Sequence, residues 1–119
     1  MEKLAIASVF SIFMVVLLFY SLVATGFVSL GTVSTEAADL AACMAERNAV
    51  IYYSKLCSAC SQQKAMFGEY FGLLKSVDCA DDRSTCEDAG VRYVPTWIIN
   101  GKPYEGVQTL EKLAELTDC

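Results

Sequence analysis

The sequence predicts an α/β domain, with a central mixed sheet of about four strands flanked by helices, preceded by one transmembrane helix. Three observations predict it. Residues 4–35 carry no charge. An apolar run at 49–53 leads into Cys57-Ser58-Ala59-Cys60 and then into a stretch of helical periodicity. Near the end, Asn100-Gly101 sits between two short strand-like runs.

The leading segment, Leu4 to Leu30, is broken only by small polar residues. At ~1.5 Å rise per residue it reaches across a hydrocarbon layer of roughly 30 Å with some tilt. The alternative is a cleaved secretory signal, which has a clearly basic start, a shorter apolar stretch and a small-residue cleavage site. Here only the amino terminus and Lys3 are positive, and Glu2 offsets them. Leu40-Ala41-Ala42-Cys43 has the residue types of a lipoprotein cleavage box, but Glu36 and Asp39 separate it from the apolar run. With Lys3 before the segment and two acids after it, the expected arrangement is a single-pass protein of the cell membrane. Its N-terminus is cytoplasmic, lipid surrounds an anchor at 4–30, and the folded domain at 36–119 lies outside the cytoplasm. All six cysteines (43, 57, 60, 79, 86 and 119) fall in that domain, a density that fits a compartment where disulfides persist.

Residues 36–119 have room for one modest core. All acids but Glu2 and all bases but Lys3 lie there, leaving the −5 of the whole chain on the domain and no basic cluster that could follow a phosphate backbone. Nucleic acid is excluded as a partner on that ground.

Ser34 or Thr35 can cap a helix running to Asn48, since Ala37, Leu40, Ala41, Met44 and Ala45 recur at helical spacing. Residues 49–53 (Ala-Val-Ile-Tyr-Tyr) read as a buried strand. From Ser61 to Lys75, Ala65, Met66, Phe67, Tyr70, Phe71 and Leu74 define one apolar face, with Gly68 and Gly72 weakening the helix where they stand. Ser76 to Cys79 is a second short strand. Ser84-Thr85-Cys86-Glu87 is a capping box for a short helix that Gly90 ends. Thr96 to Ile99, Asn100-Gly101 and Lys102 to Glu105 form a hairpin. Pro103 cannot donate to a ladder and places the final strand at an edge, before a helix over roughly 109–117.

Two cysteines separated by two residues at a helix start are a redox motif with a mechanism. Cys57 lies where unpaired N–H groups and the helix dipole favour a thiolate, and Cys60 lies one turn on, within sulfur-bonding reach. Exchange needs that division: an accessible sulfur that a substrate attacks, and a neighbour that resolves or re-forms the bond. A purely structural bridge is one alternative. Zinc held by Cys57, Cys60, Cys79 and Cys86 is another, against which stand the six-residue gap in the second pair and the lack of any histidine. No metal and no cofactor beyond the cysteines is expected. Val94-Pro95, if its peptide bond is cis and it faces the CxxC, would present the Val94 backbone to an extended substrate; the alternative is an ordinary trans turn proline.

Strand, CxxC, helix, then Val94-Pro95-Thr96-Trp97 with a closing hairpin and helix resembles the thioredoxin superfamily over residues 36–119. More narrowly, Cys57 to Lys64 with Phe67-Gly68, then Val77-Asp78-Cys79, then Pro95 to Gly101 resembles the thioredoxin-like domain fused to bacterial vitamin K epoxide reductase homologues. The resemblance implies a thioredoxin-like fold, Cys57 and Cys60 as the catalytic pair, and Val94 and Pro95 as the substrate-binding edge. It implies electron transfer from cysteines of exported proteins to a membrane vitamin K epoxide reductase-like or other quinone-linked partner, here a separate one. Cys79 and Cys86 match the second pair that such domains use as a structural disulfide; a relay that passes electrons onward is the alternative. Leu56 and Ser58-Ala59 depart from the aromatic residue and proline-histidine pair frequent in the family, so the redox potential does not carry over. Cys43 and Cys119 could pair, stay free or bind another chain, since six cysteines allow fifteen connectivities. Two other functions fit the motif: a reductase or isomerase kept reduced by a membrane donor, and a non-catalytic adaptor binding unfolded chains near Pro95.

Overall fold

The computed structural model describes the backbone of residues 2–26 and 32–119, and side chains over residues 6–21 and 35–119. Two compact units result, Met1–Val33 and Ser34–Cys119. Helix α1 (Glu2–Gly26) lies in the first.

Among the described residues no helix is long and apolar enough to cross a membrane. The anchor expected at 4–30 is therefore not supported. Residues 27–30 of the expected span lie outside the described residues, as does the side chain of Ser34, one of the two expected caps. The single-pass localisation, its orientation and the lipid contact of the anchor are withdrawn with it.

The second unit is an α/β fold with a four-stranded mixed sheet. Helix α2 (Thr32–Glu46) starts before the expected cap. It turns the buried side chains Ala37, Leu40, Ala41 and Met44 inward, and Asn48, at φ 54°, ends the turn that follows. The strands are β1 (Ala49–Tyr53), β2 (Lys75–Asp78), β3 (Thr96–Ile99) and β4 (Lys102–Glu105), in the order β2-β1-β3-β4. β1 is parallel to β2 and antiparallel to β3, with Ile51 opposite Trp97. β3 and β4 close as a hairpin through Asn100 (φ 51°) and Gly101 (φ 77°), the left-handed pair that a two-residue turn demands. Pro103 sits on β4, at the sheet edge.

Helix α3 (Ser58–Phe67) starts at the CxxC and stops ten residues on, where the sequence suggests a helix as far as Lys75. Gly68 is the cause: at φ 56° it leaves the helical region, and its N–H donates to the Lys64 carbonyl. A 3-10 turn over Gly68–Leu73 carries the chain on to β2. Helix α4 (Arg83–Asp88) is capped not by Ser84 but by Asp82, whose carboxylate accepts from the Thr85 N–H at 3.2 Å and from the Thr85 hydroxyl at 2.7 Å. A carboxylate at the N-cap is favoured by the helix dipole as well as by the orphan N–H groups, and these bonds hold the Asp82 carboxyl below its usual range. Helix α5 (Leu110–Thr117) is capped by Thr109.

The core is formed by Trp97, Ile51 and Ile99 from the sheet, Met44 and Leu40 from α2, Phe67 from α3, Phe71 and Leu74 after it, and Leu113 from α5. Each such side chain contributes roughly 1.5–3 kcal/mol when fully buried. β3 is buried at Thr96, Trp97 and Ile99 and half-buried at Ile98, so both of its faces are covered. That central position fixes Val94 and Pro95, at the entry to β3, relative to the end of β1, from which the CxxC loop springs.

Candidate functional site: a dithiol at the start of α3

Ser54 to Leu56 carry the chain from the end of β1 to α3, and the Cys57 N–H donates to the Ser54 carbonyl at 3.1 Å. Cys57 is the N-cap of α3. Its backbone is extended (φ −104°, ψ 122°), and its sulfur takes the place of the usual capping oxygen, accepting from the Cys60 N–H at 3.2 Å. The donor is thus aimed at the sulfur on which negative charge develops when a disulfide to Cys57 is cleaved. Cys57 is half-buried, whereas Cys60 is 1% exposed, so the first sulfur is the one a second molecule reaches.

Burial, and after it the hydrogen bond with Cys57, pushes the Cys60 thiol up to about 11. At neutral pH Cys60 is therefore protonated in the reduced pair, and it gains nucleophilicity only as its proton is removed.

The Val94-Pro95 peptide bond is cis, and the Cys57 thiol donates to the Val94 carbonyl at 3.6 Å. Pro95 is buried beside the next residue, Thr96, whose hydroxyl donates to the Tyr93 carbonyl at 2.6 Å. The structure thus brings four of the six expected site residues together: Cys57, Cys60, Val94 and Pro95. The other two, Cys79 and Cys86, are bonded to each other with Cα atoms 5.8 Å apart, and the Cys79 N–H donates to the Tyr53 carbonyl at the end of β1. With that bond formed, the four sulfurs are not a common set of thiolate ligands. Cys43 and Cys119 form a second disulfide, which ties α2 to the residues after α5. Only Cys57 and Cys60 remain free thiols.

One residue of the site escapes a reading of the sequence. Gln63, one turn beyond Cys60, is fully buried and every polar atom of its amide is used. Its oxygen accepts from the Trp97 indole N–H (3.2 Å) and from the Gln108 N–H (2.7 Å), and its Nε2 donates to the Gln108 carbonyl (3.0 Å). The amide therefore joins α3 to β3 and to the loop after β4, and holds the helix that carries the dithiol against the sheet. Gln63→Ala leaves a cavity and three orphaned backbone or indole groups, and is expected to cost about 3–5 kcal/mol in urea unfolding. A loss under 1 kcal/mol would show that the amide is not holding the helix.

No protein-family model matches the chain. The chain is similar to the thiol-disulfide oxidoreductase LTO1 of Arabidopsis thaliana, with 40% identity over 78 aligned residues. That alignment covers 58% of this chain and 21% of the relative, so the chain spans about a fifth of the protein it matches. Together with the dithiol at the start of α3, the similarity supports an oxidoreductase of the thiol-disulfide class and a thioredoxin-like redox fold.

Proposed function

We propose that the chain is a disulfide donor: in its oxidised form the Cys57-Cys60 bond is passed to cysteine-containing client proteins, and the reduced pair is reoxidised by a vitamin K epoxide reductase-like or other quinone-linked partner. One observation carries the reading. Four of the six cysteines are paired with one another, and the two left free are an accessible sulfur at a helix start and a buried one a turn later. The two other disulfides support a working place where thiols are oxidised, which favours donation over reduction.

In the first step a client thiolate attacks Cys57 Sγ, the Cys57-Cys60 bond breaks, and Cys60 leaves as a thiolate that takes up a proton. A second client thiolate then attacks the client sulfur of the mixed disulfide, and Cys57 leaves as a thiolate facing the Cys60 N–H. Two electrons have moved from client to protein, and the partner removes them by the reverse exchange with its own disulfide. The Val94 carbonyl beside Cys57, together with its N–H, offers an extended client main-chain partners next to the reacting sulfur. The bond between Cys79 and Cys86 serves as a brace on the loop before α4.

The test is the reduction potential of the pair, read by thiol trapping after equilibration in glutathione buffers. A donor is expected at about −200 mV or higher. A value near −270 mV, with rapid reduction of client disulfides, would assign the chain to the reductase direction instead.

A further inference from the structure

Leu56, next to Cys57, is 85% exposed, and Tyr93, next to Val94, is 66% exposed. Large apolar side chains so open to water, one next to Cys57 in the chain and one next to Val94, have no role in the core. A cavity of about 450 Å³ is lined by Leu56, Val94, Val91, Arg83, Glu87, Arg92 and the Cys79-Cys86 bond. Leu56 precedes Cys57 in the chain and the Val94 carbonyl accepts from the Cys57 thiol, so the cavity adjoins the dithiol through these two residues and extends to Arg83, Cys86 and Glu87 of α4.

The charge of the cavity is local and unbalanced. Arg83 is paired with Glu87 at 3.0 Å, and Lys55 is paired with Asp81 nearby. Arg92 is exposed and makes neither a hydrogen bond nor an ion pair with any described residue. An unpaired cation in the groove of a chain of net charge −5 is complementary to an acidic group, and over the ~8 Å screening length of physiological salt the distant acids weigh little against it.

We infer that this groove is the client-docking surface, and that it selects an extended polypeptide with an apolar residue beside its reacting cysteine and an acidic residue a few positions further on. The apolar side chain covers Leu56 and Tyr93, and the acidic one meets Arg92. The inference rests on the thiol-disulfide reading above and adds to it which clients are taken.

The test uses the oxidised full chain and dithiol peptides that carry leucine beside the first cysteine and glutamate, glutamine or lysine three residues on. The readout is each peptide's oxidation rate divided by the rate with dithiothreitol, so that a general change in thiol reactivity cancels. The glutamate peptide is expected to outrun the lysine peptide about tenfold at low salt, the difference collapsing near 1 M salt. Arg92→Glu reverses the order, and Leu56→Ser slows all three peptides relative to dithiothreitol. Arg47→Glu, at an exposed turn outside the groove, keeps the wild-type order. Equal rates for the glutamate and lysine peptides, or an order that Arg92→Glu does not change, overturn the docking proposal. Failure to oxidise dithiothreitol overturns the thiol-disulfide reading instead. The groove is then judged by fluorescence anisotropy of labelled cysteine-free peptides, where a glutamate preference lost in Arg92→Glu sustains it and equal binding sinks it.

Discussion

Cys60→Ser is expected to accumulate mixed disulfides through Cys57, about tenfold or more above the level seen with Cys57→Ser, when each is incubated with a disulfide-containing protein and resolved on non-reducing gels. Cys57 is the half-buried sulfur at the start of α3, and its thiolate attacks a partner disulfide, releasing one partner thiolate. Only Cys60 is placed to break the resulting bond from within. In the wild type that second step runs through the Cys60 thiolate, and burial holds this thiol at about 11. The sign follows directly. Below that value the thiolate fraction rises roughly tenfold per pH unit, so the mixed disulfide should be longest-lived near pH 7 and shorten steeply toward pH 9. In Cys60→Ser this steep dependence should vanish. Equal trapping by the two serine variants would remove the case for an exchange cycle led by Cys57.

Cys43→Ser/Cys119→Ser is expected to lose about 4 kcal/mol of stability, against about 2 kcal/mol for Cys79→Ser/Cys86→Ser, in the chain-entropy account of disulfides. The two bridges close very different loops, with sequence separations of 76 and 7. For a domain of this size the larger loss corresponds to a melting point roughly 15–30 °C lower, easily read by thermal unfolding. The smaller change should leave thiol oxidation in place. If it instead abolishes exchange while the fold stays intact, Cys79 and Cys86 are an electron relay and their structural role fails. If the order of the two losses is reversed, loop closure does not govern either bridge.

Much of the sheet was legible because its signals are local. Asn100-Gly101 specifies its own turn, Pro103 marks its own edge, and the apolar run at 49–53 leads into the CxxC without an intervening element. The leading segment shows where composition misleads: an uncharged run suggests a membrane span, yet no described helix meets the length and apolarity that crossing requires. Helix ends were misread for a different reason. Side-chain periodicity continues through Gly68 into Phe71 and Leu74, which are buried, although the backbone has already left the α-helix. Gln63 was invisible because a glutamine on a helix reads as a solvent-facing residue. The three groups that satisfy it sit 34 and 45 positions away, and nothing in the adjacent sequence announces them. The buried face of α3 in fact runs through Cys60, Gln63 and Phe67, while Ala65, expected inside, is exposed. The pairing of Cys43 with Cys119 is likewise a product of tertiary proximity, which no spacing rule supplies.

The proline on β4 has a bearing on how this small domain avoids its own kind. A four-stranded sheet has two open borders, and here one lacks a backbone donor at Pro103 while the other, β2, is only four residues long and begins with the exposed Lys75 and Ser76. Both borders are poor templates for strand addition, so neither an unfolded client nor a second copy is invited to zip onto the sheet. If the chain exchanges disulfides with extended clients as proposed, they are held briefly by a sulfur, without seeding the growth of a shared β-structure.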